Sequence, residues 1–307
     1  MFLISLIVIT SVLSTAVHVI DRSWNRGSDV YAMTFWSSVI QVLIVLPFAG
    51  MVSILPLDIT CILLLVGAIT ALARISWYRA LASTGDALSR LLPLTHASGF
   101  IVLLLAFAVL GESLPPWGVA GGCAMIFGAI LISLEQPAST MREFLALNLA
   151  LGLVLFQSVA RSVNNVSYKW VFNQGDFSFF TIYFYLKLLE LLSVAFLIMT
   201  TNGPQSKYRD LRNRPAFLVA RGMQTISGLL FIYVLRHLDI SVAEPVSAAG
   251  PLYAIAWEWM DMRFGLIVAM GGQALPGRDL SHLALILRFS GTVLIIGGFI
   301  LLSQGKV

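Results

Sequence analysis

The chain has 307 residues, 58% hydrophobic and 11% charged, with a net charge of +4. Soluble domains run near ~45–50% apolar and ~25% charged, so this composition marks an integral membrane protein. The weak positive balance gives nucleic acid no footing. Cys61 and Cys123 lie in apolar runs as small buried hydrophobes, without the spacing of a zinc site or a disulfide framework.

A spanning helix needs about 20 mostly apolar residues. Ten stretches qualify, over 2–20, 30–50, 57–82, 87–110, 116–134, 144–170, 177–200, 215–236, 241–262 and 281–303. The first is expected to be a retained helix rather than a signal peptide, because no positive charge precedes it and no small-residue cleavage site follows. The period-two alternation of a barrel is absent, and open sheet edges are not tolerated in hydrocarbon, so the expected fold is all-α.

Ionisable groups inside spanning helices are costly and face a cavity or each other. In chain order, the first helix carries Ser11, Ser14, Thr15 and His18 at i, i+3, i+4 and i+7, one face of a helix. The third carries Arg74, Trp77 and Tyr78 on one face. The turn Ser83-Thr84-Gly85-Asp86 then leads to a fourth helix with Thr95, His96 and Ser98. Gly118, Gly121, Gly122 and Gly128 mark the fifth as a close-packing helix, and Gly291, Gly297 and Gly298 mark the tenth. These two helices pack either within one copy or between two. The sixth helix carries Gln157, Arg161, Asn164, Asn165 and Tyr168. The seventh has Tyr183, Lys187 and Glu190, the eighth Arg221, Gln224 and Thr225, the ninth Glu244, Ser247, Pro251 and Glu258.

Each group has a plainer reading. Lys187 and Glu190 neutralise each other, Arg221 snorkels to the interface, His18 sits at a helix end, and the serines bond the preceding turn of their own helix. Arg161, mid-helix with amides a turn away, is hardest to explain so.

Residues 136–140 form a linker between a first unit, 1–135, and a second, 141–307. Each holds five helices, and an odd number per half inserts the second upside down relative to the first. Such inverted repeats place a site near the bilayer midplane. Within the second unit, 261–281 reads as an interfacial segment or a long loop. The pattern of 74–112 has a blurred echo in 228–259: an apolar helix, a short polar turn, then a small-residue start.

These features resemble the drug/metabolite transporter superfamily, in its ten-helix branch with two EamA-like repeats. The residues that carry the resemblance are Ala80-Leu81, Leu110-Gly111-Glu112 and the glycine-rich fifth helix. The second half departs from the pattern, with no Leu-Gly-Glu and with the 261–281 insertion. The resemblance implies a secondary transporter working by alternating access, with a central cavity lined by helices 1, 3, 4, 6, 8 and 9.

The cations Arg74, Arg161, Lys187 and Arg221 outnumber the deep acids Glu190 and Glu258, and arginine forks suit carboxylate or phosphate. The expected cargo is a small anionic or zwitterionic metabolite. The substrate-binding set is Arg74, Trp77, Tyr78, His96, Gln157, Arg161, Asn164, Asn165, Tyr183, Lys187, Arg221 and Gln224. Glu190, Glu258 and His18 are the candidates for coupling to protons. The chain is not expected to be an enzyme, and no cofactor or metal is called for. The expected partners are the metabolite and the lipid bilayer, as a monomer or homodimer in a bacterial cytoplasmic membrane.

Two rivals stand beside this reading. One is a proton-coupled exporter of amino acids or hydrophobic drugs, with aromatics around an acid. The other is a membrane enzyme acting on lipid-linked substrates. Orientation is open as well. Loops after odd-numbered helices carry eleven Lys and Arg against three on the other side, which puts both termini outside; the resemblance puts them in the cytoplasm.

Overall fold

Phe2–Asn25 forms helix α1 and Val30–Val45 forms α2. Asp29 caps α2 by accepting from the backbone N–H of Ala32 at 3.0 Å. Pro47 ends it by opening a tight 3₁₀ turn over Leu46–Met51. Leu57–Thr84 forms α3, Ser98–Leu105 α4, continued by a wider π turn over Ala106–Leu110, and Pro116–Ser133 α5. Gly111, left-handed at φ 67°, stops that turn. Met141–Gln174 forms α6, Phe179–Thr201 α7, Pro215–His237 α8, Ile240–Ser247 α9 and His282–Gln304 α10. This computed structural model describes residues 2–25, 29–84, 95, 98–113, 116–133, 141–201, 215–247, 250, 253, 256–257, 260, 263 and 282–304. Among them there is helix and turn but no strand. His96, Glu258, Pro251, the 136–140 linker and the 264–281 segment lie outside the described residues.

Among the described residues, five helical stretches are long and apolar enough to cross a bilayer: Phe2–Asp21, Val30–Met51, Leu57–Ala82, Phe179–Thr200 and Pro215–His237. Their outer faces expose Leu64, Leu65, Phe196, Met199 and Ile226, a surface that hydrocarbon tolerates and water does not. The protein is an α-helical, multi-pass membrane protein. Cys61 is exposed and Cys123 half-buried, both as free thiols, so Cys61 is not the buried hydrophobe expected of it.

Helices α1 and α8 run antiparallel. Arg221, early in α8, pairs with Asp21, late in α1, while Ser227 further along donates to the carbonyl of Thr10 at 3.0 Å. Gly67 brings α3 against α7: a Cβ there would lie 2.9 Å from the backbone nitrogen of Glu190. The glycines of α5 and α10 do the same within one chain. A Cβ on Gly128 would stand 2.4 Å from the Gly291 carbonyl oxygen, and one on Gly298 would stand 2.5 Å from that of Gly121.

Two apolar cores result. One gathers the end of α1, the start of α2, the end of α3 and the starts of α6 and α8, around Val17, Met33, Tyr78, Val154 and Phe217. The other gathers the opposite ends of these helices with α7 and α9, around Ile7, Leu63, Val171, Ile182 and Val234. Polar side chains fill the depth between them. At the far end of the second core, the Glu112 carboxylate accepts from the backbone N–H groups of Ile240 at 3.2 Å and Ser241 at 3.0 Å, capping α9. Lys169 donates to the carbonyls of Leu235 and Leu238, each at 3.1 Å, and closes the end of α8.

Candidate functional site

A cavity of about 210 Å³ lies between α1, α6, α7, α8 and α9. The stripe on α1 faces it with Ser11, Ser14, Thr15 and His18, joined by Thr10. Arg161, Asn165 and Tyr168 enter from α6, Tyr183 and Lys187 from α7, and Gln224, Ser227 and Phe231 from α8. Thr95 and Ser247 complete much of the rim.

Of the residues expected to bind cargo, the cavity therefore gathers Asn165, Arg161, Tyr183, Lys187 and Gln224, together with the coupling candidate His18. Of the others, His96 lies outside the described residues, and the rest are not on the cavity wall. Trp77 is buried beside His18, ring centroids 4.8 Å apart. Asn164 donates to Thr70 at 2.8 Å on α3. Gln157 does not line the cavity, and its buried Oε1 has no hydrogen-bond partner among the described residues.

Arg74, Tyr78, Arg221 and Glu190 belong to a buried network next to the cavity rather than to its wall. Arg221 is 0% exposed, so it does not snorkel, and it is not on the cavity wall. Its Nη2 pairs with Asp21, and its Nη1 donates to Ser37, Tyr78 and Gln224, each at 2.8 Å. Tyr78 in turn donates to Asp21 at 3.4 Å. Arg74 reaches the same Ser37 hydroxyl at 2.8 Å, Gln41 at 3.3 Å and Glu190 at 3.0 Å. Glu190, fully buried, also accepts from Lys187 at 2.9 Å and Ser38 at 3.3 Å. A buried charge is costly without a partner, and this network gives each of its charges one, although Glu190 is shared by two cations and Arg221 Nε and Gln41 Nε2 have no hydrogen-bond partner among the described residues.

The Arg161 side chain is 28% exposed, against 8% for Lys187. Its carboxylate, Glu244, lies 3.9 Å away and is already engaged by Asn165 and by Ser247 at 3.2 Å. Arg161 thus has donors left over on the cavity wall.

Sequence reasoning missed Asp21, Ser37 and Gln41, and did not count Glu244 among the deep acids. Asp21 falls three residues after His18, and Thr34, Ser37, Ser38 and Gln41 repeat the i, i+3, i+4, i+7 spacing that picked out α1. Among the described residues no cluster of His, Cys, Asp or Glu is placed to hold a metal.

No protein-family model matches the chain, and no curated protein does. A solved structure does match. Its description reads only "Crystal structure of protein"; the match covers 98% of this chain and 96% of that one, with a TM-score of 0.68 at 14% sequence identity. The likeness runs along almost the whole of both chains and is one of fold.

Proposed function

We propose that the protein is a secondary-active carrier of the drug/metabolite transporter type, moving a small anionic metabolite by alternating access through ten spanning helices arranged as two inverted five-helix repeats. The observation that carries this reading is Arg161. It is a cation in the middle of a long helix, half-exposed to an internal cavity, with its one acid held loosely and shared. A guanidinium in that setting suits a carboxylate or phosphate. Arg221 and Arg74 are paired inside the buried network, so they support the site as scaffold and leave cargo recognition to the cavity wall.

What favours an anion over a hydrophobic drug is the pair of cations on the wall, Arg161 and Lys187; Thr10, Ser11, Ser14, Thr15, Ser227 and Ser247 add hydroxyls there, beside the rings of Tyr168, Tyr183 and Phe231. A lipid-linked enzyme is disfavoured by the depth of the site between two apolar cores.

The test is exchange in proteoliposomes loaded with an anionic metabolite mixture, read by mass spectrometry. Losing one charge-assisted contact of ~1.5–3 kcal/mol is expected to lower uptake by Arg161→Ala roughly 10- to 100-fold. Uptake at the wild-type level in that variant overturns the site, and no exchange of any anion by the wild type overturns the carrier reading.

A further inference from the structure

Given that the cavity is a cargo site, as proposed above, we propose that its cargo is a hydroxylated monocarboxylate, of the sugar-acid or hydroxy-acid class, whose carboxylate is held by Lys187 together with Arg161, the two cations of the cavity wall. The first ground is local charge. Arg221 is matched by Asp21 and Arg161 by Glu244, one to one. Glu190 alone faces two cations, Arg74 at 3.0 Å and Lys187 at 2.9 Å. The other partners of this triad, Ser37, Ser38 and Gln41, are neutral. One positive charge is left over among these described groups, and Lys187 is the triad member on the cavity wall. A buried charge without a counter-ion is costly. A neutral or zwitterionic cargo leaves that cost in place, a dianion overshoots, and a single negative charge balances it.

The second ground is the direction of the hydroxyl protons. A serine or threonine hydroxyl has one proton to give and two lone pairs to offer. Thr10 and Ser11 both donate to the Ile7 carbonyl, at 2.7 and 2.9 Å, and Thr15 donates to that of Ser11 at 2.8 Å. Ser227 donates to the Thr10 carbonyl at 3.0 Å and Ser247 to that of Glu244 at 2.7 Å. With their protons committed, these five oxygens line the cavity as acceptors. Beside them stand the donors of Arg161, Lys187 and Gln224. A wall that mixes acceptors with donors suits cargo groups that both give and take hydrogen bonds; a carboxylate cannot give, and an ammonium adds the charge that the triad cannot accept, so these groups are hydroxyls.

The experiment measures the melting midpoint of the purified protein in detergent with four probes on one six-carbon frame: gluconate, sorbitol, glucarate and hexanoate. A ligand that binds the folded state raises the midpoint by mass action. Gluconate is expected to raise it most, with smaller shifts for the neutral polyol, the diacid and the acid without hydroxyls. Lys187→Met, which leaves Arg74 and Glu190 as a balanced pair, is expected to lose the advantage of gluconate over sorbitol; Lys187→Arg is expected to keep it. The proposal is overturned if any of the other three probes matches gluconate, if Lys187→Met retains the full gluconate shift, or if no probe shifts the wild type. Exchange of other anions in proteoliposomes alongside such a result keeps the carrier reading and discards only this cargo class.

Discussion

Ser37 holds two guanidinium groups with one oxygen. Arg74 and Arg221 each donate to its hydroxyl at 2.8 Å, so a small neutral side chain keeps two buried cations apart and satisfied. Ser37→Ala removes an acceptor from both. Each unsatisfied buried donor costs ~1–3 kcal/mol, and a thermal melt in detergent is expected to show a loss in the upper part of that range, largely restored by Ser37→Thr. At this scale the sequence was legible where a stripe lay on one helix. The α1 hydroxyls and the α6 group were found by spacing alone; the α1 hydroxyls reach the cavity, as do Arg161, Asn165 and Tyr168 of α6, while Gln157 and Asn164 do not. Pairing between helices was not legible. Asp21 and Arg221 stand 200 residues apart, and periodicity along one helix carries no information about which acid on another meets it. Asp21 also sits just past the last apolar residue of its run, where a hydropathy reading stops and the backbone does not.

Helix boundaries and contacts show the same division. The cores of the described helices agree with the apolar runs, while α1 continues to Asn25 and α6 to Gln174. The added turns carry polar residues, Arg22, Ser23 and Asn25 in α1 and Asn173 and Gln174 in α6, and they stay helical because burial of the rest of the helix fixes the backbone direction. Glycine pairs are the strongest determinants of which helices touch. At Gly67 the space for a side chain is filled by the α7 backbone at Glu190. Gly67→Val is therefore expected to force α3 and α7 apart at a cost of ~1–3 kcal/mol, and to weaken the Arg74–Glu190 ion pair two turns further along α3. Heat denaturation reads the first effect. The second appears as additional loss when Gly67→Val is combined with Lys187→Met, since both act on Glu190 and changes with a shared partner do not add. Independent, additive losses contradict this coupling.

Across the whole molecule, the polar material is layered. The cavity groups on α1 run from Thr10 to His18, and Asp21 lies beyond them towards the end of α1; on α8 the order is reversed, with Arg221 ahead of Gln224. The Asp21–Arg221–Tyr78 cluster thus lies between the cavity and the face where α1 ends. It acts as a seal on that side. Breaking a buried pair costs ~3–5 kcal/mol, so Asp21→Asn is expected to loosen this face. With Ser14→Cys as the probe, a membrane-impermeant maleimide applied from that face is expected to react faster in Asp21→Asn than in the parent. Equal rates would remove the seal from consideration. Orientation follows from the same labelling, and one charge on the opposite face should be discounted beforehand. Lys169 is bound to the α8 carbonyls, so it serves the fold as well as any topology signal.

Glu112 has one more consequence. Its carboxylate clasps the amides of Ile240 and Ser241, so the last residues before α5 hold the first residues of α9. Any rocking that parted these two points would strand an anion and two donors with nothing to bond. In the proposed carrier the clasp is therefore expected to behave as a pivot, about which the early and late portions of the polypeptide turn while staying joined.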